Sequence, residues 1–428
     1  MPTPLPALLS ARVAGPAAVF GAGVSGQGAK ELLASAGIPA KIFDDRGQPF
    51  TPEDARQHPL VVFSPGFRRD HPWLRLARDA GADCWGELDL ASLFWKGRIL
   101  AVTGTNGKTT LTEFLVHALK AAGRAACAAG NIGQSFAQVA AERDGGRPDE
   151  IAVCEVSSFQ AESLRHLRAD ATLWTNFAED HLERHEGMRD YFGAKARLAG
   201  RSGLVLAGSS VREFAKLAGA LAWQDRAVWV DTAHLPEDAG LAGTVFAQPP
   251  QRENFVLAAA WWAKSGLPSP QLYAAARSFV LGRHRLARVA EIAGVTYWND
   301  SKATNFHAVE GALTRFPEPV WLIAGGKGKG GDLEGFVARL NGRVRELLLI
   351  GETAGELARS AQAARIAFRR FDSLPAAVAA AARSARRGEH VLLSPGFASF
   401  DQFRNYQDRG DQFEAAVRAL ASPLPVAC

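Results

Sequence analysis

At 428 residues the chain is too long for one ordinary hydrophobic core, since domains usually hold roughly 100–200 residues, and two or three domains are expected. With 47% hydrophobic and 22% charged residues it has a globular balance that excludes disordered, fibrous and membrane-embedded classes; no apolar run reaches the ~18 residues of a membrane span. The net charge of +5 is spread over Arg/Ala-rich stretches and comes with no recognition motif, which suits an anionic small substrate and argues against a nucleic-acid partner. The start, MPTPLPALLSAR, lacks the features of a signal peptide. The four cysteines, Cys84, Cys127, Cys154 and Cys428, form no CxxC pair. A cytoplasmic protein with reduced, structural thiols is expected, without membrane insertion.

In chain order, residues 17–90 alternate apolar runs with helical stretches: AAVFGAG, GAKELLASAG, AKIFDD, LVVFSPG and PWLRLARDAG. That alternation predicts βαβ units on a parallel sheet. A second series begins at RILAVTGTNGKTT and continues through IAVCEVSS, ATLWTNF, GLVLAGSS and AVWVD. The helical stretch NFVLAAAWWAKSG follows, and FVLGRHRLARV leads into a third region. There WLIAGG, ELLLIGE and HVLLSPG read as strands, with LPAAVAAAARSARRG as a helix between the last two. SPGF occurs twice, at Ser64–Phe67 and Ser394–Phe397, each time as a turn after a strand.

The sharpest local signal is Thr103-Gly104-Thr105-Asn106-Gly107-Lys108-Thr109-Thr110, between a strand and a helix. Small residues let backbone N–H groups approach phosphate oxygens and the helix N-terminus adds positive potential. Lys108 would reach the β- and γ-phosphates of a nucleotide, and Thr109 would ligate magnesium. Val102 stands where the strict phosphate-loop pattern has its first glycine. Gly21-Ala22-Gly23-Val24-Ser25-Gly26 is a GxGxxG turn with Asp44 and Asp45 ending the next strand; it fits a dinucleotide, another nucleotide diphosphate, or no more than a close-packed turn. Glu155 ends the run IAVCE, where a carboxylate beside a triphosphate serves magnesium. His181 follows ATLWTNF in the same manner; with His185 it makes an i, i+4 pair, but no HExxH and no third zinc ligand accompany it.

Together TGTNGKTT, GNIG (Gly130–Gly133), EVSSFQ, TNFAEDHLERH, YFGAKARL (Tyr191–Leu198), GRHR (Gly282–Arg285), NDSKATN (Asn299–Asn305) and LLSPGFASFDQFRNYQDRG resemble the Mur ligases, collinearly from about Ala17 to Gly410. The last two motifs and GGKGKG resemble the D-glutamate-adding branch. The resemblance implies an α/β protein of three domains: a Rossmann-like UDP-binding domain (1–95), a central P-loop-type ATPase domain with a mostly parallel sheet (96–281), and a Rossmann-like amino-acid-binding domain (282–428). It implies ATP-dependent joining of D-glutamate to UDP-N-acetylmuramoyl-L-alanine through an acyl phosphate, by a monomer, in cytoplasmic peptidoglycan precursor synthesis.

The same resemblance assigns residues. Gly104, Thr105, Asn106, Gly107, Lys108, Thr109, Thr110, Asn254, Arg285, Asp300 and Lys302 would bind ATP, with Asp300 near ribose and Arg285 and Lys302 near phosphate. Lys108, Glu155, His181 and Lys195 would be catalytic. Two magnesium ions would take Thr109, Glu155, His181 and Lys195, the last as a carbamate. The UDP substrate would meet Gly23, Val24, Ser25, Asp45, Arg46, Ser64, Pro65, Gly66, Asn131 and Ser157, the last two near the reacting carboxylate and phosphate. Glutamate would meet Thr304, Lys329, Ser399 and Tyr406, the last standing where D-glutamate enzymes often carry Phe.

Two departures stand out. Pro250-Gln251 replaces a His-Asn pair that helps read adenine, leaving Gln251 as the amide in that place, and Ala287 replaces a Glu in HRLARV. Rival readings are a sister ligase adding another amino acid or L-glutamate, a folylpolyglutamate synthase, a nucleotide-regulated binding protein, and a NAD-dependent oxidoreductase built on GAGVSG. The folate enzymes lack a domain like that of GAGVSG, the binding protein has no use for Lys195, and the oxidoreductase leaves TGTNGKTT and NDSKATN unexplained.

Overall fold

Short, wholly buried runs such as Ala17–Phe20, Leu60–Phe63 and Ile151–Glu155 are covered on both faces, so they read as unbroken apolar segments instead of alternating ones. The computed structural model describes residues 6–10, 15–219 and 221–421, and Cys428 lies outside them. The chain divides into two compact units, Met1–Phe177 with Arg189–Pro236 and Glu253–Ser278, and Ala178–Met188 with Glu237–Arg252 and Phe279–Cys428.

The first unit holds two sheets. Strands β1 (Ala17–Phe20), β2 (Ala40–Phe43), β3 (Leu60–Phe63) and β4 (Asp83–Gly86) form a parallel sheet in the order β2-β1-β3-β4. Strands β5 (Arg98–Thr103), β6 (Ala126–Gly130), β7 (Ile151–Glu155), β8 (Ala169–Trp174), β9 (Ser202–Ala207) and β10 (Ala227–Trp229) form another, ordered β10-β9-β8-β5-β7-β6 and parallel throughout. Because β5 lies between β7 and β8, the loop after it meets the loops after both neighbours, the switch point at which open α/β sheets hold ligands.

The helix Glu87–Phe94 ties these two sheets together with buried carboxylates. Asp89, fully buried, accepts the N–H groups of Arg165, His166 and Leu167 at 2.8–2.9 Å. Glu87 accepts the N–H of Ala137 at 2.6 Å, and burial pushes its carboxyl up to about 7. Cys84, Cys127 and Cys154 are buried free thiols of this unit.

The second unit is built on β11 (Ala287–Ile292), β12 (Val295–Asn299), β13 (Val320–Ala324), β14 (Val344–Leu349), β15 (Phe368–Arg370) and β16 (His390–Leu393), ordered β11-β12-β16-β13-β14-β15. All neighbours are parallel except the hairpin β11–β12, which turns at Ala293-Gly294 with φ of 52° and 80°. Two positive φ values make a turn whose twist matches the flanking strands. Val320, Leu322 and Ala324 of β13 face one core cluster while Trp321 and Ile323 face another, so helices cover both sides. Among the described residues no helix is long and apolar enough to cross a membrane.

Candidate active site

In the first unit the loop between β5 and the helix Lys108–Ala121 is held from several directions. Asn176 Oδ1 accepts the Asn106 N–H at 2.9 Å, the Asn176 carbonyl accepts that of Thr105 at 3.1 Å, and Thr175 Oγ1 donates to the Asn106 carbonyl at 2.6 Å. Gly104 (φ 144°) and Gly107 (φ 82°) leave no space for a Cβ, the first because of Thr175 and the second because of the Asn254 amide. The amide of Asn254 thus lies against the phosphate loop.

Two lysines converge on the same carbonyl. Lys108 Nζ donates to Gly104 O at 2.9 Å and to Thr105 O at 2.8 Å, while Lys195 Nζ donates to Gly104 O at 2.8 Å. Lys195 is 1% exposed and lies 4.9 Å from the centre of the Tyr191 ring, whose hydroxyl pairs with Thr105 Oγ1 at 3.2 Å. Thr109 and Thr110 open the helix at the loop's end. On β7, beside β5, Glu155 Oε1 accepts from Asn131 Nδ2 at 3.0 Å, while its Oε2, buried, has no hydrogen-bond partner among the described residues. An orphaned carboxylate oxygen beside a phosphate loop is the donor a hard divalent cation takes. Among the described residues no group of three or more His, Cys, Asp or Glu is placed to hold a metal ion, so a cation here would draw on Thr109, phosphate oxygens or a modified Lys195 beside Glu155.

Ser157 caps the helix Ser158–Ala161 through a capping box with Gln160, which places its hydroxyl close after Glu155 in the chain. In the first sheet the helix Val24–Ser35 begins at Gly23, Ser25 lies in its first turn, and Ser64 Oγ underlies Gly21 without a hydrogen-bond partner among the described residues. Pro65 and Gly66 follow β3 and Arg46 follows β2, in the sequence order expected. Asp44, not Asp45, ties the turn: it accepts the N–H groups of Ala22 at 2.9 Å and Arg46 at 3.0 Å, and these bonds lower its carboxyl below the usual range. Asp45 projects towards solvent, 3.8 Å from His71. The doublet Asp44-Asp45 is visible in the sequence, but only geometry separates the roles.

In the second unit a cavity of about 30 Å³ gathers His181, Thr304 and Lys329 with Asp180, Asn305 and Phe306. His181 adopts a left-handed φ of 59°, and burial, before any charge, lowers its ring below the usual value. Ser399 and Tyr406 are not in that lining. Ser399 is buried on the loop after β16, and Tyr406 opens the helix Tyr406–Leu420, where the ammonium of Lys302 stands 4.2 Å from its ring centre. Asp300 follows β12 with both oxygens engaged, one by the Leu286 N–H at 3.0 Å and the other by Ser394 Oγ at 2.8 Å; burial pushes it up to about 7. Arg285 precedes β11 on the same side.

Arg409 belongs to the motif LLSPGFASFDQFRNYQDRG, in which nothing local gives it a role. It is fully buried and donates to Ser301 Oγ at 3.0 Å, Ser301 O at 2.9 Å and Phe397 O at 3.1 Å. It thereby joins the Asp300–Asn305 turn to the loop carrying Ser399. Asn299 binds Gly410 O and Glu414 Oε1, each at 3.0 Å, so much of NDSKATN and NYQDRG is spent on fixing loops.

A glycine-rich loop at a switch point, a carboxylate oxygen with no hydrogen-bond partner among the described residues and a buried helical lysine reaching the loop carbonyl are the features of a site that handles nucleotide phosphates. Residues 102–209 match the Mur ligase middle domain and residues 284–397 the Mur ligase glutamate ligase domain. The chain belongs to the Mur ligase family. It is 36% identical to UDP-N-acetylmuramoylalanine--D-glutamate ligase of Gloeobacter violaceus, covering 95% of this chain and 99% of that one. The enzyme of that name from Desulfatibacillum aliphaticivorans is 35% identical over 87% of this chain and 86% of its own. In fold the chain resembles MurF ligase from Thermotoga maritima, solved in complex with ADP, at a TM-score of 0.60 and 16% identity, covering 84% of this chain and 95% of that one.

Proposed function

We propose that this chain is an ATP-dependent ligase that joins D-glutamate to UDP-N-acetylmuramoyl-L-alanine in peptidoglycan precursor synthesis. The relatives that carry that activity in their names support the reading along nearly the whole chain. The observation that carries the chemistry is the convergence on Gly104: Lys108 and Lys195 both reach its carbonyl, in a loop flanked by β7 with Glu155. We further assign residues 1–95 to UDP-substrate binding, 96–281 to ATP and 282–428 to the amino acid, a division supported by three separate sheets. A cytoplasmic monomer without nucleic-acid partner, serving cell shape and division, completes the proposal.

The reaction transfers the γ-phosphate of ATP to the terminal alanine carboxylate, and the amine of glutamate then displaces phosphate from that acyl phosphate. Lys108 would neutralise charge on the transferring group, and the loop N–H groups with the following helix N-terminus would hold the nucleotide phosphates. Asn131 and Ser157 would orient the acyl acceptor, and Asn254 would lie along the nucleotide. Thr304, Lys329, Ser399 and Tyr406 would hold the glutamate carboxylates. Glu155, Thr109 and a carbamylated Lys195 would hold magnesium, with His181 and a second ion added by resemblance. Bound magnesium supplies charge neutralisation to the phosphates. The sister-ligase reading is tested by phosphate release from ATP with UDP-N-acetylmuramoyl-L-alanine and each of D-glutamate, L-glutamate, L-lysine and diaminopimelate. Release dependent on D-glutamate alone is expected; release driven by another amino acid would replace the assignment.

A further inference from the structure

The segment Ala178–Met188 lays two acidic side chains on loops of the second unit's sheet. Glu179 Oε1 accepts the Asp332 N–H at 3.0 Å, beside Gly331, whose φ of 108° and lack of space for a Cβ admit only glycine. Asp180 has a different set of partners: its Oδ2 accepts from Asn305 Nδ2 at 2.8 Å and lies 3.7 Å from the His181 ring, while its Oδ1 accepts the His181 N–H at 2.9 Å and stands 3.9 Å from Lys329 Nζ. The Asp180 side chain is 8% exposed, and both members of the pair line the cavity with Thr304.

Resting on the ligase reading above, we propose that Asp180 is a specificity-determining residue that receives the ammonium group of the incoming amino acid while Lys329 takes its α-carboxylate. An α-amino acid carries an anion and a cation on one carbon, and this wall of the cavity offers the complementary cation and anion. A half-buried lysine alone would accept any dicarboxylate. A buried carboxylate next to it repels a dianion and favours a ligand that brings its own positive charge, so the pair rejects by repulsion as well as selecting by attraction. At 3.9 Å the Asp180–Lys329 contact is an ion pair without a hydrogen bond, which an entering head group can part without breaking one. Asn305 holds the carboxylate in place meanwhile.

A purely structural Asp180 would also hold Asn305 and neutralise Lys329, so the test must separate the two roles. With the full chain, ATP, magnesium and UDP-N-acetylmuramoyl-L-alanine, the KM for D-glutamate is compared with inhibition by glutarate, the dicarboxylate that lacks only the amine. Asp180→Asn is expected to raise the glutamate KM about tenfold or more, the loss of one charge-assisted contact, while glutarate inhibits equally or more strongly. Weakening of both ligands by the same factor, or an unchanged glutamate KM, overturns the proposal. If Asp180→Asn does not fold, Asp180→Glu serves, since it keeps the charge but moves it: the glutamate KM must rise more than the glutarate inhibition constant, and a parallel change overturns the proposal. Absence of glutamate-dependent turnover in the unmodified chain overturns the ligase reading itself, and this inference with it.

Discussion

Lys195 shows how little a single residue's pattern can say. It sits in the helix Met188–Gly200 among buried Tyr191, Phe192, Ala194 and Leu198, yet a lone lysine in YFGAKARL reads as helix surface. Only the family resemblance singles it out, and the structure places it on the Gly104 carbonyl. An ammonium beside magnesium repels the ion, whereas a carbamate reverses that charge and offers the oxygen ligands hard cations prefer. Lys195→Ala is therefore expected to be nearly inactive in phosphate release and to regain part of its rate with added short carboxylic acid; wild-type turnover in that variant removes the carbamate from the account. Glu87 gives a second prediction. Its folded-state carboxyl titrates near 7 against an ordinary 4.5, so the folded state keeps its proton longer than the unfolded one and the residue lowers stability as pH rises from about 4.5 to 7. Glu87→Gln, compared with the parent by urea unfolding, should gain relative stability across that window, by up to ~3 kcal/mol, and no difference in slope would show the carboxyl to be solvated.

Among the elements, the phosphate loop is legible because its chemistry is local: two glycines, a lysine and a threonine between a strand and a helix. What the sequence cannot show is what fills the space above the glycines. Asn254 does so at Gly107, from a helix far along the chain. Gly107→Ala forces a Cβ into that amide at φ 82° and is expected to weaken ATP binding by roughly tenfold or more, measured by nucleotide titration, with the fold retained. Lys108→Ala is expected to cost ~10²-fold or more in phosphate release. The β11–β12 hairpin is hidden for a different reason. Its two positive-φ positions are held by Ala293-Gly294, and an alanine there lacks the Asn-Gly or Asp-Gly signal by which such turns are recognised. The Arg409 clamp is equally hidden, because Ser301 and Phe397 are distant in sequence. Arg409→Met would strand those acceptors, and a loss of ~3 kcal/mol in urea unfolding is expected, with a change below ~0.5 kcal/mol refuting the clamp.

For the whole molecule, alternation of strand and helix along the sequence announces parallel α/β sheets, because βαβ units leave a periodic trace that long-range packing does not disturb. Assignment of segments to units is less visible. Ala178–Met188 follows β8 of the central sheet in sequence but clusters with residues 279–428, through contacts such as Asp180 with Asn305 and Glu179 with Asp332. The expected glutamate residues are likewise only partly gathered: Thr304 and Lys329 share a cavity with His181, while Ser399 and Tyr406 stand on neighbouring loops outside its lining.

The central claim is ligation of D-glutamate through an acyl phosphate. UDP-N-acetylmuramoyl-L-alanine labelled with heavy oxygen in its terminal carboxylate, incubated with the chain, ATP, magnesium and D-glutamate, reports on both halves when its two products are weighed by mass spectrometry. The account predicts a nucleotide heavier by one glutamyl residue and released phosphate carrying one labelled oxygen. A nucleotide of unchanged mass, or an extended nucleotide accompanied by unlabelled phosphate, would contradict it.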